Sequence, residues 1–138
     1  MTQPRWSDTS TDRTEFSAGG VVVRGREVIV IVPVKRDSSG NRVLGLPKGH
    51  PDGEETGVHA DLIEKLGEVC YRYERRGRRV AKKVVFFLFE YRSGDLADHD
   101  HEIEEARWMP LEEAAHALSY EGEREMVTRA LSRLSQDR

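Results

Sequence analysis

This chain of 138 residues has a single cysteine, no long apolar run and only a small excess of negative charge. Its single cysteine, Cys70, excludes a disulfide framework and a zinc site built on cysteine thiolates. The longest apolar runs, residues 28–34 and 84–89, are too short to cross a bilayer as a helix, and the polar first 15 residues lack the apolar core of a secretory signal. The sequence therefore predicts a cytoplasmic protein without a membrane partner.

The charge balance argues against nucleic acid as the main partner. Lysine and arginine number 22 and aspartate and glutamate 25, so the net charge is −3 and no strong overall field attracts a polyanion. The basic run at residues 75–79 is interpreted as a solvated hairpin tip rather than as an RNA-binding site. A small phosphorylated molecule remains a candidate ligand because it needs only a few local cations.

The hydropathy pattern predicts one domain that is rich in strands and ends in helices. We place a flexible leader at residues 1–15, where apolar residues are few, and the domain at residues 16–138. The predicted strands cover residues 21–23, 28–34, 43–46, 62–73, 80–91 and 104–109. Helical spacing of apolar residues predicts one helix after Pro110 and a second over residues 121–134. The fold class is therefore α/β.

One loop carries a recognisable motif. The run Leu46-Pro-Lys-Gly-His50, followed by Pro-Asp-Gly-Glu-Glu-Thr56, resembles the signature of the Nudix hydrolase family. The resemblance implies an α/β/α sandwich with a mixed sheet and C-terminal helices. It also implies hydrolysis of a nucleoside diphosphate linked to another group, with Mg²⁺ or Mn²⁺, and the form of the loop is most similar to that of members acting on dinucleoside polyphosphates.

The resemblance also implies roles for single residues. Gly49 matches the first glycine of the family's box, and Glu55, after five intervening residues, matches its first glutamate. Glu55 and the adjacent Glu54 are therefore the candidate catalytic residues and metal ligands, although two carboxylates seldom hold Mg²⁺ tightly without further oxygens. Lys48, as a point charge, is a candidate for binding substrate phosphate together with Gly49.

Two further candidates lie outside the motif. Arg36, at the end of the second predicted strand, is a candidate for binding phosphate. Glu104, with Glu102 and Glu105 beside it, is a weaker candidate metal ligand because a glutamate from this region assists in some members of the family.

Beyond Glu55 the match to the box ends. In the family, seven residues lead to Arg-Glu-apolar-x-Glu-Glu-x-Gly-apolar on a helix, where glutamates three or four apart share one face. An alignment without a gap places Glu64, Gly67 and Glu68 on that helix. An alignment with a gap after Thr56 makes residues 60–69 the strand that follows the box. The gapped alignment is favoured because the other puts Gly67 inside a helix with tyrosine-rich, strand-like sequence directly after it.

In the gapped alignment, the chain lacks the residues that form the family's catalytic helix. A loss from the gene, an edited chain and a segment missing only from the written sequence would each produce such a gap. Two functions stay open: a weakened metal-dependent hydrolase and an inactive nucleotide- or RNA-binding module. Without that helix, one sheet face lacks cover, so exposure is expected at Val30, Leu46 or Phe87.

Overall fold

The architecture is a five-stranded mixed sheet followed by two helices. The computed structural model describes residues 13–37, 39–48, 58–98 and 101–136. The strands are β1 (Arg13–Arg24), β2 (Glu27–Pro33), β3 (Val58–Arg75), β4 (Arg78–Gly94) and β5 (Ile103–Pro110), and the helices are α1 (Leu111–Ala117) and α2 (Glu121–Gln136). The strand order is β3-β4-β1-β2-β5. Of the neighbouring strands, β1 and β4 pair in parallel and the other three pairs are antiparallel. The predicted mixed sheet with C-terminal helices is confirmed.

Most of the elements form where the sequence pattern predicts them. Gly25 adopts a φ of 62°, which suits the tight turn between β1 and β2. In β4, Phe86 and Leu88 face one side of the sheet and Phe89 the other, as expected of an interior strand with a nearly continuous apolar run. In the part of the chain that the structure describes, no helix is both long and apolar enough to cross a membrane.

Two apolar clusters lie on the two faces of the sheet. The larger one joins β1, β2 and β4 to α1 and α2 through side chains that include Val30, Leu46, Leu118 and Met126. Val30 and Leu46 are completely buried, so the expected exposure of these two residues is wrong. Both lie on the face that α1 and α2 cover. Phe87 is half-buried beside the smaller cluster on the opposite face.

A short segment fills a gap between β1 and β2. The two strands pair only near their turn, at Val23–Val28 and Arg24–Glu27. Further from the turn, residues 45–48, here called the wedge segment, lie between them. Gly45 exchanges two backbone hydrogen bonds with Ile31 of β2, at 2.8 and 2.9 Å. On the other side, the Gly20 N–H of β1 donates to the Pro47 carbonyl at 3.0 Å.

The wedge segment replaces the third strand predicted at residues 43–46. Its pairing with the sheet consists of isolated bridges at Gly45 and Lys48. Pro47 has no N–H to donate, which limits regular pairing here. The segment ends beside β1 at Lys48, the residue directly before Gly49 in the sequence.

The strand boundaries bear on two of the sequence interpretations. β1 begins at Arg13, so residues 13–15, assigned to the flexible leader, belong to the sheet, whereas residues 1–12 lie outside the described residues. Glu64, Gly67 and Glu68 lie on β3, which pairs with β4 from Val58 to Arg75. A strand at this position fits the gapped alignment and not the alignment that requires a helix there.

Candidate functional site

A buried carboxylate lies against the wedge segment. Glu123, in the first turn of α2, has no solvent exposure. Its Oε1 atom accepts a hydrogen bond from the Leu46 N–H at 2.8 Å. Its Oε2 atom accepts one from the Tyr71 hydroxyl at 2.5 Å and lies 2.7 Å from the ammonium nitrogen of Lys48. Burial of a carboxylate is costly without such partners, so this set of donors is what makes the position of Glu123 tolerable.

The sequence contains a signal for the burial of Glu123, although no motif includes this residue. The apolar stripe of α2 includes Met126, Val127, Ala130 and Leu134, and Glu123 precedes these residues at helical spacing on the same face. A charged residue on an apolar stripe is buried only where partners meet it. The partners, on β3 and in the wedge segment, are distant in sequence and could not be read from α2 alone.

Two tyrosines stand next to this carboxylate. Tyr71 of β3 packs edge-to-face against Tyr120, with ring centroids 5.4 Å apart. Burial, together with the negative charge of Glu123, raises the pKa of Tyr71 well above its usual value of 10.0. Burial also raises the pKa of Tyr120, with smaller contributions from Glu123 and Asp37. Both phenols are therefore neutral at physiological pH, and Tyr71 serves as a hydrogen-bond donor.

This shift predicts how stability responds to alkali. The folded protein favours protonated Tyr71, so the stabilisation from this group is complete below pH 10.0 and declines as unfolded chains ionise above it. We expect Tyr71→Phe to leave the tyrosinate absorbance of the folded protein near pH 10 unchanged, while the unfolded chain loses one titrating group. A folded Tyr71→Phe variant that loses one titrating phenol near pH 10 would contradict the burial of this hydroxyl.

The structure assigns an internal partner to Lys48. Its ammonium group forms the ion pair with Glu123, and it also donates to the Leu46 carbonyl at 3.3 Å. The side chain keeps 24% of its exposure. The role of Lys48 towards phosphate stays a prediction. Gly49, Glu54 and Glu55, the other motif candidates, lie outside the described residues.

The two candidates outside the motif contact each other. The Arg36 guanidinium lies 3.0 Å from Glu104 Oε1, and Arg42 lies 2.9 Å from Glu104 Oε2. Both carboxylate oxygens of Glu104 thus face arginines at a half-exposed surface. This pairing neutralises Arg36 and Glu104 without a phosphate or a metal ion, so both residues remain candidates on the sequence argument alone.

The fit to a divalent metal ion can be tested on the described residues. Mg²⁺ prefers octahedral coordination by oxygen ligands, usually with one or two carboxylates and water. No group of three or more histidine, cysteine, aspartate or glutamate side chains suited to a metal occurs within residues 13–37, 39–48, 58–98 and 101–136. The prediction that Glu54 and Glu55 bind a metal ion concerns residues outside the described ones, and the weaker candidacy of Glu104 stays a prediction.

A separate cleft of about 430 Å³ opens between β3 and the start of α2. Tyr71 and Tyr120 form part of its wall, next to three glutamates, Glu68, Glu121 and Glu125. Carboxylates repel a polyphosphate, so this cleft is not where we expect a phosphorylated ligand to bind. The surface at the end of the wedge segment is the better candidate.

Comparison with a curated protein gives a clear relationship. A protein from Mycobacterium tuberculosis (strain CDC 1551 / Oshkosh), whose name describes it as mutator protein MutT4, is 34% identical over 131 residues. The match covers 82% of this chain and 53% of the relative, so the chain spans about half the length of the curated protein it matches.

Solved structures show the same fold at lower identity. A Nudix hydrolase from Nitrosomonas europaea matches with a TM-score of 0.62 at 15% identity, over 86% of this chain and 89% of that one. The Nudix domain of Shewanella oneidensis NrtR, solved with ADP-ribose, gives 0.60 at 16% identity, over 88% of each chain. A C. elegans Ap4A hydrolase in a binary complex gives 0.58 at 18% identity, over 88% of this chain and 98% of that one.

The family model of the NUDIX domain matches residues 14–130, which is most of the chain. The motif at residues 46–56, the mixed sheet with its C-terminal helices and these relatives agree. The chain belongs to the Nudix hydrolase family.

Proposed function

We propose that this domain binds a small nucleoside diphosphate derivative beside the wedge segment and hydrolyses its phosphoanhydride bond only slowly. The observation that carries this proposal is the start of β3 at Val58. Only Thr56 and Gly57 separate Glu55 from that strand. The connection is too short for the helical half of the family's box, which would supply the remaining carboxylates.

The ligand class is supported by the relatives and by the glycine that follows the wedge segment in the sequence. One structural neighbour was solved with ADP-ribose and another is an Ap4A hydrolase, so both concern phosphorylated adenosine derivatives. At identities below 20% these neighbours support only the class. In this chain, the wedge segment ends at Lys48, and Gly49 directly after it permits close approach of the backbone to a phosphate.

The metal requirement is proposed for Glu54 and Glu55. Nudix hydrolases generally use divalent metal ions, and carboxylate oxygens are the protein ligands that Mg²⁺ and Mn²⁺ favour. A bound ion would supply charge neutralisation at the phosphates. With two adjacent carboxylates as its protein ligands, such an ion is held mainly in the presence of the phosphorylated ligand, which supplies further oxygens.

The short connection also favours a second candidate function, a nucleotide- or RNA-binding module with no hydrolysis at all. Both candidates require the ligand to bind, and they differ only in whether product forms over long incubation. The net charge of −3 favours a small nucleotide over RNA.

Ligand binding is tested by calorimetric titration with ADP-ribose and diadenosine tetraphosphate. We expect weak binding that becomes several-fold tighter with Mg²⁺, because the ion bridges carboxylate and phosphate. Glu55→Gln keeps the size of the side chain and removes its charge, so it is expected to abolish the effect of Mg²⁺ and to leave metal-free binding unchanged.

Glu112→Gln is the matched control, since Glu112 is an exposed carboxylate paired with Arg26 and belongs to no candidate site. It is expected to retain the Mg²⁺ dependence. No binding at millimolar ligand, or a Mg²⁺ effect that survives Glu55→Gln, would overturn the proposed site.

A further inference from the structure

We infer that Glu123 is a positioning residue, which fixes the wedge segment beside which the proposed ligand binds. The inference rests on the proposed ligand binding for its effect on affinity, but not for its effect on the wedge segment. It also implies that Lys48 contributes to binding through Glu123 rather than by contact with a phosphate.

Three parts of the fold meet at the carboxylate of Glu123. Glu123 belongs to α2, Tyr71 to β3, and Leu46 and Lys48 to the wedge segment. The contacts to Leu46 and Lys48 hold two points of the segment two residues apart. A single side chain therefore restrains both the backbone and the last described side chain before the motif's Gly49.

The sheet does not supply a hydrogen-bond partner for the backbone N–H of Leu46. Gly45 is bound to β2 and Pro47 to β1 through their backbones, whereas the Leu46 N–H points to neither strand and donates to Glu123. Without this acceptor, a buried N–H would lose its partner, which is unfavourable enough to shift the segment. The C-terminal helix thus supplies the third support of the wedge segment.

The positive charge of Lys48 is paired with the negative charge of Glu123. Its ammonium is 2.7 Å from a carboxylate that is wholly buried and cannot turn to solvent. A ligand phosphate that took over this ammonium would leave the Glu123 carboxylate with one fewer compensating charge in a water-poor site. The ion pair therefore holds Lys48 in place against competition from a phosphate.

Two measurements report separately on the wedge segment and on ligand affinity. In the ligand-free full chain, amide hydrogen exchange reports on the Leu46 N–H. Calorimetry with ADP-ribose reports on affinity. For Glu123→Gln, we expect Leu46 exchange to accelerate and the dissociation constant to rise, each by about tenfold or more, because the Leu46 N–H exchanges a charged acceptor for a neutral amide oxygen and Lys48 loses its counter-charge. Glu125→Gln, an exposed position on the same helix, is the matched control and should change neither.

A double-variant cycle separates positioning from direct contact. The Lys48→Met/Glu123→Gln chain buries no unpaired charge, so it remains folded even where Lys48→Met alone does not. We expect it to bind ADP-ribose about as weakly as Glu123→Gln alone, because both changes remove the same support. A direct contact between Lys48 and phosphate predicts instead that Glu123→Gln binds as tightly as the unmodified protein, or more tightly, and that the double variant is weaker.

Each outcome decides one claim. Unchanged Leu46 exchange in Glu123→Gln overturns the positioning role, and so does accelerated exchange with unchanged affinity. If the unmodified protein does not bind ADP-ribose, the proposed ligand class fails. The exchange measurement then decides by itself whether Glu123 fixes the wedge segment.

Discussion

Lys48→Met is expected to lower the free energy of unfolding by about 3–5 kcal/mol, the typical cost of removing one partner of a buried ion pair. Methionine keeps the unbranched apolar stem of lysine and removes the charge. The Glu123 carboxylate, which has no exposure, would then retain only the hydrogen bonds from Leu46 and Tyr71. Urea denaturation of the two proteins measures the difference.

Adding Glu123→Gln to the Lys48→Met variant should restore most of the lost free energy of unfolding. Lys48→Met/Glu123→Gln contains no buried charge, so we expect it to recover more than half of the lost stability. Arg26→Met is a suitable control, because the Arg26–Glu112 pair is exposed and worth less than about 1 kcal/mol. A Lys48→Met protein within about 1 kcal/mol of the unmodified chain would contradict a structural role for the ion pair.

Local patterns in the sequence were sufficient for most of the elements. The valines on either side of Gly25 predicted the β1–β2 hairpin, and the apolar run of β4 predicted an interior strand. The apolar spacing of α2 predicted a helix in the correct place. Such features depend on neighbours within a few residues, which the sequence contains directly.

The wedge segment could not be predicted in the same way. Residues 43–46 have the composition of a strand, but of these residues Gly45 alone pairs with a strand of the sheet, and Pro47 accepts a hydrogen bond from β1 on the other side. The burial of Leu46 follows from that placement and from the cover that α1 and α2 provide. Tertiary context determined both, and local propensity could not show either.

The motif identifies the candidate site but does not predict how its charged residues pair. Arg36 and Glu104 were candidates for opposite roles, and they form an ion pair across 68 residues of sequence. Glu123, the buried partner of Lys48, lies outside the motif. Contacts between residues so far apart depend on the topology of the sheet, which the motif does not encode.

We expect hydrolysis of diadenosine tetraphosphate by this chain to be at least about 10³-fold slower than by the C. elegans Ap4A hydrolase. The family's Arg-Glu-x-x-Glu-Glu segment is not present between Glu55 and β3. Loss of metal-binding carboxylates removes several kcal/mol of transition-state stabilisation, and each 1.36 kcal/mol corresponds to a factor of ten. Binding depends on fewer groups, so it should survive where turnover does not.

The most direct measurement is a side-by-side turnover assay with saturating diadenosine tetraphosphate and Mg²⁺, after an intact-mass measurement has shown that the protein has the 15.8 kDa of the written sequence. Chromatography of the released nucleotides gives the rate, and calorimetry on the same sample shows whether the ligand is bound. We predict saturable binding with turnover at least about 10³-fold below that of the C. elegans enzyme. Turnover within about tenfold of that enzyme by a chain of this mass would contradict the proposal that the short connection to β3 removes most of the catalytic power.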